Sequence, residues 1–507
     1  MMRNIIRNWT ACIGMVVTLA ACDDYLDITP KGKALLKSTE DYLGLIEDRS
    51  PEYDMMNSWI LAGEASWYKA EELKSYTNPL NSVAYFWDES YDHAGDMIEN
   101  AAYNACYDRI TKFNVVVDGI ASSEGKEEDK RMGEAQARVL RAYNYFFLIN
   151  TFARPYDPAT AYQTHGIIVR EKMFESLEDV GIQQSVGYTY DFIQRDIEAA
   201  IPDLPHKATN SFRPDKTFGY AFKAKVHLFR REFEQCIEAC DSALAEAARA
   251  GHELWDMTEG YNTFAPMLVA AGYPEMAIDE PQYAGVNDFV ENVWKTRIPF
   301  EYDAPEQLLY QFGSTYTDPY PMYVPKQVLD LFQKDADLRY RYCIRYKAEH
   351  ETAPAGDSNF STLAVKWNPG GMRLSEVYLM LAECYARKGN TADLSKAMGY
   401  METLRACRMV PGRYQPFAPT DAEEALRLVR EERKRELFLT CNGFFDLRRF
   451  VTEFNETQTR VIEGKTYTLS PASHLLTYPF PLKAMQTSNL IQNRDRKSTR
   501  QNSSHWK

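Results

Sequence analysis

The sequence predicts a mainly α-helical protein, built from tetratricopeptide-like helix pairs in one large globular domain and interrupted by two irregular regions. Three observations carry this reading. Apolar residues recur at spacings of three and four over several segments, each such segment has a helical neighbour across a short turn, and between the pairs the period lapses while Pro, Gly, Asn and aromatics gather.

In chain order, the first pair runs from Asp96 to Ile120 and from Met132 to Phe152, where Val139, Leu140, Tyr143, Phe146 and Phe147 line one face. The second runs from Thr217 to Arg230 and from Glu232 to Ala248 across a very tight turn. Its small residues Ala221, Ala224, Ala239 and Ala243 let the two helices approach closely. The third places Leu374, Val377, Tyr378, Leu381, Ala382 and Tyr385 on one face of Arg373 to Lys388, then crosses Lys388-Gly389-Asn390 into Asp393 to Cys407. Helix, short turn, helix with small residues at the crossing is how tetratricopeptide units are built, but the strict repeat of about 34 residues is missing. Divergent pairs within one globular body are therefore predicted rather than a regular solenoid. The irregular regions run from about Ser50 to Gly95 and from about Gly251 to Ala364. Such long segments in a compact protein are functional or disordered, and these are too aromatic for disorder.

The chain of 507 residues, 45% hydrophobic, has ample material for a core. Its formal charge is −14; setting aside +2 from Arg3 and Arg7 and +3 from the last thirteen residues leaves a body of −19. So acidic a surface repels phosphate backbones, and no nucleic-acid partner is expected.

The N-terminus carries Arg3 and Arg7, then an apolar run from Ala11 to Ala21. This is shorter than the roughly 20 residues that span a bilayer, and reads as a secretory signal over residues 1–21. Leu19-Ala20-Ala21 ends directly on Cys22, the lipoprotein form of such a signal, so Cys22 is expected to be acylated and to become the mature N-terminus. The chain is then anchored to a membrane without spanning it. Of nine cysteines, Cys12 leaves with the signal and Cys22 is used for the anchor. The remaining seven, Cys106, Cys236, Cys240, Cys343, Cys384, Cys407 and Cys441, are odd in number and scattered, which argues against a disulfide framework. Cys236 and Cys240 share a helix without a nearby His, so no zinc set is formed. The body is expected to run from Cys22 to Arg494. Residues 495–507, Asp-Arg-Lys-Ser-Thr-Arg-Gln-Asn-Ser-Ser-His and onward, resemble the conceptual translation of a sequencing-adapter read and are expected to be non-native.

Cys-Asp-Asp-Tyr-Leu-Asp-Ile-Thr-Pro-Lys-Gly, from Cys22 to Gly32, resembles the mature start of the SusD-like (RagB/SusD) outer-membrane nutrient-binding lipoproteins. Further motifs follow in the same order. Gly133-Glu134-Ala135 with Leu140-Arg141-Ala142 and Tyr143 resembles one family helix, and Ser375-Glu376-Val377 through Ala382-Glu383 another. Most specific are Glu431-Glu432-Arg433-Lys434-Arg435-Glu436-Leu437 and Phe444-Phe445-Asp446-Leu447-Arg448-Arg449. Tyr478-Pro479-Phe480-Pro481 and Asn489 to Asn493 resemble the family's ending. One departure lies inside the signature: where the family usually has Glu-Gly-x-Arg, this chain reads Thr440-Cys441-Asn442-Gly443, losing both charges together as an ion pair is deleted. The resemblance implies about four tetratricopeptide-like helix pairs and an irregular ligand-binding face. It also implies an outer-membrane, exterior-facing protein that binds an oligosaccharide and delivers it to a SusC-like TonB-dependent transporter, with no catalytic activity and no cofactor.

The residues themselves agree. Glu432, Glu436 and Arg433 could form an acid, base and clamp, but the glutamates are four apart, share a face, and sit among basic residues, as in a structural salt-bridge lattice. Gly464-Lys465-Thr466 lacks the first P-loop glycine, since Thr459 stands there, and His252-Glu253 leads to Asp256 instead of a second His. No G-x-S-x-G elbow occurs, and no acidic loop has calcium spacing. Binding is better supplied. Pyranose rings present flat C–H faces that pack on aromatic rings, while hydroxyls are met by amides, carboxylates and cations. The first irregular region offers Trp59, Trp67, Tyr68, Tyr76, Trp87 and Tyr91 interleaved with Glu64, Lys69, Asn78, Asn81 and Asp88, and the second adds Tyr283, Trp294, Tyr316, Tyr320 and Tyr323. The expected ligand contacts are Trp67, Tyr68, Asn78, Trp87, Tyr91, Trp294 and Tyr320. Two rivals stay open: a peptide ligand, and a tetratricopeptide-type scaffold whose ligand is another protein.

Overall fold

A computed structural model describes residues 36–47, 59, 62–63, 66–67, 79–90, 93–173, 181–273, 275, 302–311, 322–346, 360–362 and 368–493. The chain opens with α1 (Thr39–Ile46), started by a capping box in which the Ser38 hydroxyl accepts from the Asp41 amide and the Asp41 carboxylate from the Ser38 amide. It lies in the elbow of the first pair, α3 (Ala101–Gly119) and α4 (Glu127–Phe152). Gly133 lets the elements pack closely there: a Cβ would sit 2.5 Å from the Ile120 terminal methyl and 2.7 Å from a Leu43 methyl, so both side chains would have to shift.

The predicted helices all form. α3 starts at Ala101 rather than Asp96 because Asn100 accepts the Tyr103 amide and fixes the cap. α4 starts earlier than predicted, at Glu127, where three acidic residues in the first turn favour the helix dipole. α5 (Val186–Ala200) lies between α4 and the second pair, α6 (Lys216–Arg230) and α7 (Phe233–Ala250). Arg231, at φ 63°, makes the tight turn between them, and the four alanines at the crossing are all buried. The third pair is α9 (Leu374–Lys388) and α10 (Thr391–Ala406), joined through Gly389 at φ 77°. A fourth pair, α11 (Ala422–Glu436) and α12 (Asn442–Phe454), carries the charged signature. In space α3, α4, α5, α6, α7, α9 and α10 form a continuous row in which each packs on the next, with α11 laid against α9 and α10.

Phe146 and Phe147 of α4 stand at the centre of the core. Phe146 meets Phe222, Phe229 and Phe445 edge-on at 4.9–6.1 Å, and Phe147 meets Phe445 at 5.3 Å and Trp59 at 5.4 Å. Edge-to-face rings add to the burial term and fix the crossing geometry. The two regions read as irregular contain helices after all: α2 (Pro79–Phe86) in the first and α8 (Met257–Ala270) in the second. In α8 the apolar period is hidden because Pro266 interrupts it and Met267 and Val269 face outward.

The charged signature is a buried ionic lattice. Glu436 accepts from Arg339 at 3.0 Å, Arg373 at 3.0 Å and Arg408 at 3.0 Å. Glu432 accepts from Arg339 at 2.7 Å and Arg435 at 2.8 Å, while Asp337 and Glu306 complete the set on Arg339 and Arg408. None of these eight residues is more than 6% exposed. Burial alone would raise the carboxyl of Glu432, but Arg339 and Arg435 outweigh it and hold it down at about 2. Burial likewise opposes Glu436, which Arg408, Arg373 and Arg339 hold well below the usual range. Arg433 joins a second buried group, bonding Asp446 at 2.7 Å, with Arg449 bridging Asp446 at 2.8 Å and Glu383 at 2.6 Å. Each of Glu432, Glu436 and Arg433 thus has an ion-pair partner.

Candidate ligand-binding face

Both irregular regions are rooted in this helical body. In the first, Trp59 packs on Phe147 and Phe445, and Gly63 lies so close to α12 that a Cβ would meet the Phe444 amide at 2.7 Å and the Gly443 carbonyl carbon at 2.8 Å. Arg460 then ties the region to the hairpin of β9 (Gln458–Ile462) and β10 (Lys465–Leu469). Its guanidinium donates to the carbonyls of Tyr85, Ala62 and Gly63 and lies 4.4 Å from the Trp87 ring centre. Five donors in a fixed fork suit Arg to this three-carbonyl clasp. Sequence reasoning missed Arg460; its only local signal is its place on the inward face of a strand that alternates exposed and buried residues.

The second region is rooted through residues 302–311. β4 (Gln307–Leu309) pairs with β8 (Met372–Arg373) ahead of α9, and Glu306 accepts both from Arg408 and from the Trp255 amide at 2.8 Å. His252 bridges Asp215 at 2.7 Å and the Pro305 carbonyl at 2.9 Å, and Asp215 also caps α6 by accepting the Phe218 amide. Burial works against the imidazolium, but the bond to Asp215, with its charge, prevails and raises His252 above its ordinary value against a small opposing effect of Lys207. The stabilisation from this pair is therefore full below the unfolded histidine value and fades as pH rises through the raised folded value. The denaturant midpoint of His252→Gln should fall furthest below wild type near pH 5.5 and approach it above about pH 8. A gap of constant size across that range would sink the assignment.

The two regions then meet. A four-stranded antiparallel sheet has the order β1 (Ser66–Trp67), β5 (Met322–Tyr323), β7 (Phe360–Thr362), β6 (Ile344–Tyr346). Trp67 is in register with Met322, and Ser66 with Tyr323. The first aromatic segment is thus placed beside the second, though about 255 residues separate them in sequence.

Of the expected contacts, Trp67 lies on the sheet as strand β1. Trp87 does not present an open ring: it is 7% exposed, its indole N–H donates to the Ala62 carbonyl at 3.3 Å, and Arg460 covers it. It sits among Val83, Val451, Leu469, Leu475 and Leu476 in a small apolar cluster. Trp87, one of the expected contacts, is thus enclosed in this structure, as is Trp59 at 1% exposure. Tyr68, Asn78, Tyr91, Trp294, Tyr320 and the lipidation candidate Cys22 lie outside the described residues. A separate cleft of about 1300 Å³ opens among the ends of α7, α9, α11 and α12. At its edge the Phe454 ring, 37% exposed, is flanked by Arg387, Arg430 and Phe450. Among the described residues no helix is long and apolar enough to cross a membrane, and no group of three or more His, Cys, Asp or Glu could hold a metal ion.

A row of tetratricopeptide-like pairs that carries two aromatic regions on one small sheet defines a helical ligand-binding body. The chain belongs to the SusD family: a model described as starch-binding and associating with the outer membrane matches residues 24–228, and the SusD family model matches residues 346–503, together well over half of the sequence. No curated protein sequence matches it. Among solved structures, it is similar to a SusD superfamily protein from Bacteroides thetaiotaomicron, at 15% identity over 90% of this chain and 100% of that one, with a TM-score of 0.65. It is also similar to a SusD-like carbohydrate-binding protein from Bacteroides vulgatus, at 15% identity over 89% and 97%, with a TM-score of 0.59. A laminarin-binding SusD-like protein matches at 15% identity over 90% and 99%, with a TM-score of 0.58. At such identities the likeness establishes the fold.

Proposed function

We propose that this protein binds an oligosaccharide on the face where its two aromatic regions meet and delivers it to a SusC-like TonB-dependent transporter, held at the outer membrane by a lipid on Cys22 and facing the exterior. The observation that carries the reading is the antiparallel pairing of Trp67 with Met322, by which a strand of the first aromatic region lies beside a strand of the second. The family's outer-membrane association and the carbohydrate-binding and laminarin-binding relatives that share its fold support it. In this reading Trp67, Tyr68, Tyr91, Trp294 and Tyr320 supply ring faces and Asn78 meets hydroxyls, while Trp87 and Arg460 hold the face in place. The helical body supplies stiffness, so that little ordering free energy is lost on binding. A glycan-array and calorimetric screen of residues 23–493 against plant, host and microbial oligosaccharides, with mixed peptides alongside, tests it. Saturable binding of an oligosaccharide is expected; binding of peptides alone would replace the glycan by the peptide reading, and silence on both would overturn the small-ligand role.

A further inference from the structure

We propose that the protein binds a single halide ion, chloride, in a small chamber between Arg448 of α12 and Arg231 in the turn from α6 to α7. The chamber, of about 10 Å³, is walled by these two residues together with Asn150, Phe229, Arg449 and Glu453, and has room for one particle of about the size of a water. The charges around it favour an anion. Arg448 is 1% exposed. Its Nε donates to the Leu476 carbonyl and its Nη2 to the Ala153 carbonyl at the end of α4, and the guanidinium lies 5.5 Å from the Phe444 ring centre. Among the described residues no carboxylate pairs with Arg448 or with Arg231, and Nη1 of Arg448 makes no hydrogen bond.

The other charges on the wall are already matched. Arg449 bridges Glu383 and Asp446, and Glu453 accepts twice from Arg387, at 2.5 and 3.0 Å. The two remaining guanidinium groups face the C-terminal ends of α4 and α6, which reach the chamber through Asn150 and Phe229 and carry about half a negative charge each. Two positive charges against about one negative leave an excess of about one, which a monovalent anion cancels and a water does not. Loss of the Arg448 proton does not relieve it: burial pulls this group down to about 10, with Tyr190 and Tyr478 acting the other way, so it stays charged at neutral pH. A buried charge without a counter-charge keeps its full desolvation cost. Size then selects the class of anion, because carboxylate, phosphate and sulfate groups hold several heavy atoms, whereas a halide is only slightly larger than water. Arg231 also lines the cleft of about 1300 Å³, which gives the ion a route from solvent. Once bound, it joins the end of α4, the turn from α6 to α7, and α12, and so ties the first, second and fourth helix pairs together. The inference rests on charge and cavity alone and stands or falls separately from the glycan screen.

Thermal melts of the purified full-length protein test it, with sodium gluconate exchanged for sodium chloride at constant ionic strength, since gluconate is too large for the chamber. The comparison is with Arg231→Asn, which removes one guanidinium but keeps a residue that tolerates the φ of 63° at this turn; general salt effects cancel between the two proteins. On exchange into chloride, wild type is expected to gain about 1–3 °C over the variant, as an ion that binds only the folded state requires. Wild-type crystals soaked in bromide are expected to show an anomalous peak between Arg448 and Arg231. An equal response of wild type and variant, or bromide found only outside the chamber, overturns the proposal. A bromide peak in the chamber with no chloride-dependent gain marks an adventitious ion only and overturns it as well.

Discussion

Alanine at Glu436 is expected to lower the stability of the fold by about 3–5 kcal/mol, the cost of leaving buried charge uncompensated. The lattice holds four guanidinium groups, Arg339, Arg373, Arg408 and Arg435, against four carboxylates, Glu306, Asp337, Glu432 and Glu436. Removing Glu436 leaves one buried positive charge in excess and strips Arg339, Arg373 and Arg408 of a shared acceptor. Removing Arg408 as well restores the balance of charge, so Glu436→Leu with Arg408→Leu should be less destabilised than the two single changes summed. Urea midpoints of the four proteins in this cycle check the prediction, and simple additivity would mean that the lattice is not coupled.

The same group sets the acid limit. Carboxyls held below their ordinary range contribute stability that is present above the unfolded value and is lost as pH falls through the folded one. With Glu432 held at about 2, and Glu436, Glu383 and Asp446 also lowered, wild type should lose stability progressively from near pH 4.5 toward pH 2. Glu436→Ala, already lacking one such group, should show a shallower acid slope.

Local chemistry made most of the helical body legible. Gly389, the alanines of α6 and α7, and the three-and-four spacing on α4 and α9 act within one or two turns, and their helices form where expected. The lattice was half legible. The spacing of Glu432 and Glu436 announced a charged face, but the partners Glu306, Asp337, Arg339, Arg373 and Arg408 come from segments that only the fold unites. Asn442 shows the same limit. Between Thr440 and Gly443, the two positions where the signature's charges are lost, the Asn442 side chain accepts from Lys225 of α6 at 2.8 Å, and Lys225 also pairs with Glu376 at 3.0 Å. That partner lies 217 residues away in sequence, where no local pattern announces it. At the candidate site, aromatic composition marked two segments whose strands the fold joins in one sheet, but composition carries no information on which ring is covered. Arg460, a residue about 370 positions beyond Trp87 in sequence, decides that.

The separation of covering from contacting residues gives the sharpest test of the ligand-binding face. Trp67→Ala is expected to weaken binding of the glycan identified by the screen by about 30-fold or more, as for a central aromatic anchor worth about 2 kcal/mol, while the melting temperature stays close to wild type. Trp87→Ala should do the reverse at first order. Its ring is buried among aliphatic side chains and faced by Arg460, so truncation should cost about 3–5 kcal/mol of stability, with affinity falling only through a loosened support. Calorimetry paired with thermal melts separates the two. If Trp67→Ala keeps full affinity in a folded protein, the ligand does not lie against β1. If Trp87→Ala loses affinity as far as Trp67→Ala while melting unchanged, the ring is a contact after all and its buried setting must open on binding.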